Sequence, residues 1–236
     1  MKITTRICLL CLAFWSGCLF AQVADRQQLI DRAAVDYMQK AGNQSALFSG
    51  SEHEGYSPRI SNHPYYKDEQ FAKARLSYCG IVYPEALLRL DLNRKQLVTQ
   101  SPGYRNIVLF PENVDYAEIH GQTIIYLRHD NLPGCPSTDY YILLHSGKCK
   151  VLKKQTAALM IKRSTQEELY FFTNWFYLYK DGAYYFIWNR NGLLKLLQPY
   201  KKELKRFISA HRLKFHNTEE FFIRTVSEYE KLSGMQ

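Results

Sequence analysis

Glycine and proline are scarce in this chain, at 12 and 8 of 236 residues. That excludes collagen-like and low-complexity classes. Beyond residue 21 only three cysteines remain, Cys79, Cys135 and Cys149, and no two of them form a Cys-x-x-Cys pair. A disulfide-dense scaffold, a redox dithiol and a zinc knuckle of that type are thereby excluded. Three thiols allow at most one internal bridge, and none is expected. After the first twenty residues no apolar run is long enough to cross a bilayer, and the mean hydropathy is -0.35, which argues against a multi-pass membrane protein. Acidic calcium loops, His-rich tracts, Gly-rich phosphate loops and dinucleotide fingerprints are all missing. His53-Glu54 lacks the second histidine of a zinc-protease helix. No metal and no cofactor is therefore expected. There is no fixed-period repeat and no heptad run.

What is present is an apolar, aromatic and basic chain. Hydrophobic residues make up 46%, enough to fill a core, and 18 Tyr with 13 Phe favour half-buried pleated surfaces. The first residues look like an address. Lys2 and Arg6 precede an apolar run from Ile7 to Phe20, and Ala21-Gln22 follows. This is the layout of a secretory signal peptide over residues 1–21. A competing route makes Ser16-Gly17-Cys18 a lipoprotein box with Cys18 lipidated. Either route exports the chain to the periplasm or the exterior. Removing residues 1–21 takes away two bases and no acid, so the formal charge falls from +9 to +7. In an exported protein that excess points to an envelope protein, a lipid or a glycan, and not to nucleic acid.

The rest divides into an N-terminal helix and loop segment over 22–70 and a main domain over 71–236. Leu29, Ile30, Ala33, Ala34, Tyr37 and Met38 share one face of a helix predicted over 25–40. A loop with one short strand at Ala46-Leu47-Phe48 is expected next. Strand patterns then recur at 74–83, 86–92, 96–100, 105–110, 114–119, 122–128, 139–145, 149–155, 168–179 and 183–188. Their short connections favour an antiparallel meander over βαβ units. The expected fold is α+β, with the meander forming a twisted sheet or partial barrel packed against N- and C-terminal helices.

Three turns set register. His120-Gly121 pairs Ile119 with Gln122, Ser146-Gly147 pairs His145 with Lys148, and Asp181-Gly182 pairs Lys180 with Ala183. Counting outward from Asp181-Gly182 opposes Tyr179 to Tyr184, Tyr177 to Phe186 and Trp175 to Trp188, six rings on one face. The other face carries Phe176 with Ile187 and Leu178 with Tyr185. The six-ring face reads as a platform for sugars or another protein, or as a layer covered by the following helices through Leu194, Leu197, Phe207 and Phe222.

The last fifth is predicted helical. Leu193, Leu194, Leu196 and Leu197 form an apolar turn. Pro199 opens a second helix with Leu204, Phe207, Ile208 and His211 inward. Asn217 with Glu220 caps a third, whose inner face is Phe221, Phe222, Thr225, Val226, Tyr229 and Leu232.

Several pieces carry a family resemblance. Cys79-Gly80-Ile81-Val82-Tyr83, Leu88-Arg89-Leu90-Asp91-Leu92, Gln96-Leu97-Val98, Tyr140-Tyr141-Ile142-Leu143-Leu144 with Gly147, and Tyr184-Tyr185-Phe186 before a basic helix resemble an uncharacterised secreted family of Bacteroidetes. Phe20-Ala21-Gln22 is similar to signal-peptide ends in that phylum. The resemblance covers most of 70–232 and implies location and style of fold, with no residue roles to carry over.

Two constellations are candidates for chemistry. His129, Asp130 and Asp139 offer a base and its orienter, with Ser137 or Cys135 as nucleophile, the basis of a secreted hydrolase reading. The second is a basic run, Lys195, Lys201, Lys202, Lys205, Arg206, Arg212 and Lys214, interrupted only by Glu203. It suits an anionic partner, or it is simply a solvated helix face. The favoured function is a non-enzymatic binding module of the cell envelope. Its candidate partner-binding residues are Lys201, Lys202, Lys205, Arg206, Trp175, Tyr177 and Trp188. A hydrolase using 129–139 and a structural subunit of a surface complex are the alternatives.

Overall fold

The computed structural model describes residues 26–216 and 218–234. The expected leader, Cys18 and the Asn217 cap lie outside the described residues. Ten strands form one antiparallel sheet: β1 (Ala72–Tyr78), β2 (Ile81–Asp91), β3 (Gln96–Gln100), β4 (Asn106–Val108), β5 (Val114–Ile119), β6 (Gln122–Leu127), β7 (Asp139–Ser146), β8 (Lys150–Lys162), β9 (Glu167–Lys180) and β10 (Ala183–Phe186). The strand order is β10-β9-β8-β7-β6-β5-β1-β2-β3-β4. The sheet is open, yet it curls far enough for the β2–β3 turn to touch β8. The Ala157 N–H donates to the Leu92 carbonyl at 3.2 Å, and Asn93 Nδ2 donates to the Ala157 carbonyl at 2.9 Å. Helices α1 (26–41), α2 (Arg190–Leu196), α3 (Lys201–Ala210) and α4 (Thr218–Leu232) flank it.

Turn chemistry explains most of the register. Asp181 and Gly182 both have positive φ, 51° and 78°, as a two-residue turn of the hairpin type requires. Tyr184 then faces Tyr179, Tyr185 faces Leu178 and Phe186 faces Tyr177, as expected. His120-Gly121 likewise pairs Ile119 with Gln122.

Other expectations are corrected. A third two-residue turn, Cys79-Gly80 with φ 54° and 73°, cuts the expected 74–83 strand. Pro84 does not separate strands. It lies inside β2, where the register against β1 shifts between Ala74 and Leu76 and no ladder bond is needed from it. Ser146-Gly147 does not make a two-residue turn. Ser146 faces Lys150 and His145 faces Val151, with a further shift between Leu143 and His145. The cause is Glu230 of α4, which enters the turn: its Oε1 accepts from Cys149 N at 2.7 Å and its Oε2 meets His145 Nε2 at 2.8 Å. A Cβ on Gly147 would lie 2.3 Å from that carboxylate, so a larger residue there would displace Glu230 from the turn. Ala46–Phe48 is a short 3-10 turn with Leu47 and Phe48 buried, not a strand. β8 runs to Lys162, well past the expected end.

One face of the sheet is the core. Leu76, Ala117, Ile124 and Ile142 follow one another across neighbouring strands and are all buried. The row continues through Lys153 to Phe176, and α4 packs there: Phe222 meets Phe176 at 4.9 Å between ring centroids, and Lys153 pairs with Glu219 at 2.7 Å. Phe221, Phe222, Thr225, Val226 and Tyr229 are buried as the helical period predicts. α3 buries Leu204 and Ile208, while His211 stays exposed, contrary to expectation.

Candidate functional site

The six-ring face points away from these helices. Leu178 and Ile187, on the opposite face of the β9–β10 hairpin, are the residues the helical side buries. The expectation that Leu194, Leu197, Phe207 and Phe222 cover the six rings is therefore corrected. A different segment crosses that face, the β6–β7 loop over 128–138. It reaches the outer edge of β10, where Tyr184 N donates to the Pro133 carbonyl at 2.8 Å. A Cβ on Gly134 would sit 2.1 Å from the Tyr184 carbonyl, so glycine permits the approach. Behind it, the Tyr141 hydroxyl donates to the Ser137 carbonyl at 2.7 Å, and Tyr141 meets the Tyr177 ring at 6.0 Å. The loop shuts an otherwise open β10 edge, one remedy for edge-to-edge aggregation.

That loop contains the hydrolase candidates, and its bonds assign them other work. His129 Nδ1 lies 3.2 Å from the Pro136 carbonyl, and no hydrogen bond joins His129 to Asp130, Cys135, Ser137 or Asp139. The Asp130 carboxylate accepts from Leu132 N at 2.9 Å, a local turn. Ser137 Oγ accepts from Lys154 Nζ at 2.8 Å, and Lys154 also pairs with buried Asp139 at 2.7 Å. Lys154 thus bridges Ser137 and Asp139 and ties the loop to β8. Burial pushes the Cys135 thiol up, away from the thiolate that a nucleophile needs.

The basic run behaves differently. On α3 the apolar side is sealed, with Leu204 fully buried, while Lys202, Lys205 and Arg206 are exposed and Lys201 is half-buried. Among the described residues none of these four bases makes an ion pair. Lys205 and Ser209 line an open depression with Asn189, Arg190, Asn191 and Phe215. Trp188, next in the chain to that depression, is 80% exposed. Its ring is propped edge-on against Phe186 at 4.5 Å, and Phe186 meets Tyr177 at 5.3 Å. Tyr177 is thus a support under Trp188, not itself a contact surface. Trp175 is half-buried beside Lys154 and joins neither group.

A second polar cluster escaped the sequence reading. Asp91 Oδ2 accepts from Tyr56 Oη at 2.7 Å and meets His53 Nε2 at 2.9 Å, while Oδ1 accepts from the Asn93 and Arg94 N–H groups. These bonds outweigh burial, which alone would raise it, and hold the Asp91 carboxyl below its ordinary range. Both His53 and Asp91 side chains are wholly inaccessible, so this His–Asp pair serves the fold and meets no substrate. Thirty-eight positions separate the two residues, and no local motif announces them.

Among the described residues, no cluster of three or more His, Cys, Asp or Glu suits a metal ion, and no helix is long and apolar enough to cross a membrane. No family model matches the chain, and neither does any curated protein or solved structure.

Proposed function

We propose that this chain is an exported, non-enzymatic binding module that holds the polyanionic surface of the cell envelope, either phosphate-bearing lipid headgroups or acidic glycan. The observation that carries this reading is one shared surface. Lys205 of α3 and Arg190 line a single depression, and the exposed Trp188 directly precedes its Asn189 wall in the chain. Lysines and arginines without acidic partners keep their full attraction for phosphate or carboxylate, screened only by salt. An exposed tryptophan beside them adds an amphipathic ring suited to the boundary between polar headgroups and apolar chains. In the 128–139 loop Asp130, Ser137 and Asp139 make local or Lys154 contacts, and no hydrogen bond joins His129 to any of them.

The test is charge reversal. Lys202→Glu, Lys205→Glu and Arg206→Glu together should leave the far-UV spectrum and melting midpoint unchanged, because all three side chains are exposed. Association with isolated envelope membranes should fall at least tenfold. Unchanged association would remove α3 from the account. Digestion of the membranes' glycan before mixing, against extraction of their lipid, separates the two sources of negative charge.

A further inference from the structure

The segment that leads into β1 builds a cleft apart from the α3 surface. From Glu52 to Tyr65 the chain is a long loop, but it is pinned along its length. Glu52 bridges to Ile107 and Tyr65 to Asp91. Between them, Ser61 N donates to the Glu168 carbonyl at 3.0 Å. Asn62 exchanges two bonds with the Tyr170 backbone at 3.0 and 2.7 Å. The loop therefore encloses a preformed cleft of about 550 Å³, lined by Tyr56, Asn62, His63, Tyr65, Glu69 and Arg89 among others. That volume falls in the range of small-ligand sites.

Arg89 is the unusual member. Its guanidinium lies 3.8 Å from the Tyr65 ring centroid and 4.3 Å from that of Phe71, so two aromatic rings hold its plane. Nη1 donates to the Glu69 carbonyl at 2.8 Å. Nε is buried and has no partner, and no carboxylate of the described chain lies within ion-pair distance. Asp91, two residues on, is already filled by His53, Tyr56 and two backbone N–H groups. A buried guanidinium donor without an acceptor is costly, and chains rarely leave one unless something else supplies the oxygen. His63, on the same wall, accepts from Tyr65 N at Nδ1 and therefore carries its hydrogen on Nε2, a second donor.

We propose that this cleft binds a small carboxylate whose body is a ring. The planar guanidinium takes the two carboxylate oxygens side by side, as arginine does better than lysine. Tyr56 and His63 line the wall beside the ring body, with buried Tyr65 holding Arg89 and His63 from behind, and Glu69 at the rim meets a hydroxyl or ammonium on it. A sugar acid and an aromatic amino acid both satisfy this chemistry, and the experiment distinguishes them.

The experiment is titration of the purified chain with D-glucuronate, L-phenylalanine and neutral D-glucose. It is read by calorimetry and by the arginine Nε–H resonances in proton–nitrogen spectra. Saturable binding of glucuronate or phenylalanine, with one Nε–H signal shifting and glucose inert, supports the proposal, and whichever binds names the source. Arg89→Lys should weaken that binding at least tenfold. If Arg89→Lys does not fold, the shift of the native Nε–H signal still decides. Binding of glucose as tight as glucuronate, or no Nε–H shift with any probe at 20 mM, overturns it. An Arg89→Lys chain that folds and binds normally overturns it too.

Discussion

Asp91 shows how much one residue can hold in place. Its carboxylate closes the β2–β3 turn through two backbone N–H groups and ties the 50–56 segment to the sheet through His53 and Tyr56. Because the folded carboxyl titrates below its ordinary value of 3.8, its contribution is complete above about pH 4 and is lost as the pH falls through the folded value. Asp91→Asn keeps the shape and removes the charge. It should cost about 2–3 kcal/mol at pH 7, measured by urea unfolding. The gap from the native chain should narrow steadily below pH 4, and a gap that is the same at pH 3 and pH 7 would mean that the charge does nothing. None of this was legible beforehand. An Asp in a strand followed by Leu-Asn-Arg-Lys reads as a turn and no more, and its partners are named only by a bridge formed across distant sequence. Arg89 was equally silent, because alternation places it outward and only the curl of the sheet and the returning loop bury its Nε.

At the scale of elements, the turns with two positive-φ residues were the legible part. Asp181-Gly182 and His120-Gly121 gave the register of two hairpins because their chemistry is local. Cys79-Gly80 escaped because cysteine is not a customary turn former. Ser146-Gly147 misled because the geometry of that turn answers to Glu230, more than eighty residues away. The choice of which face the helices cover also lay beyond the pattern. Both faces of the β9–β10 hairpin are aromatic, and only the packing of Phe222 on Phe176 settles it. Substitution exposes the asymmetry. Phe222→Ala should cost about 3–5 kcal/mol, since it opens a cavity between sheet and α4. Trp188→Ala should change stability by no more than about 0.5 kcal/mol. Equal losses in thermal or chemical denaturation would contradict the assignment of faces. The β8–β9 arm was missed as well: its far end exposes Leu159, Met160, Ile161, Phe171 and Phe172, and β8 runs well beyond the strand expected over 149–155.

Across the whole molecule, the strand count, the antiparallel pairing of chain neighbours and the helical ends were legible because each rests on periodicity and short connections, whereas the pairing of β5 with β1 in place of β4 was not. The proposed binding surface was half legible. The basic run and the aromatic hairpin each stood out in the sequence, but the depression shared by Lys205 and Arg190 just beyond Trp188 depends on how α2 turns the chain. The functional account depends on that depression. Its most direct test is co-sedimentation of the purified chain, freed of residues 1–21, with vesicles of phosphatidylglycerol or of phosphatidylcholine. The account predicts strong capture by the anionic vesicles at 20 mM salt, severalfold weaker capture at 500 mM, and little by the neutral ones at either. Capture that ignores both lipid charge and salt, or no capture by anionic vesicles together with none by acidic glycan on beads, would contradict it.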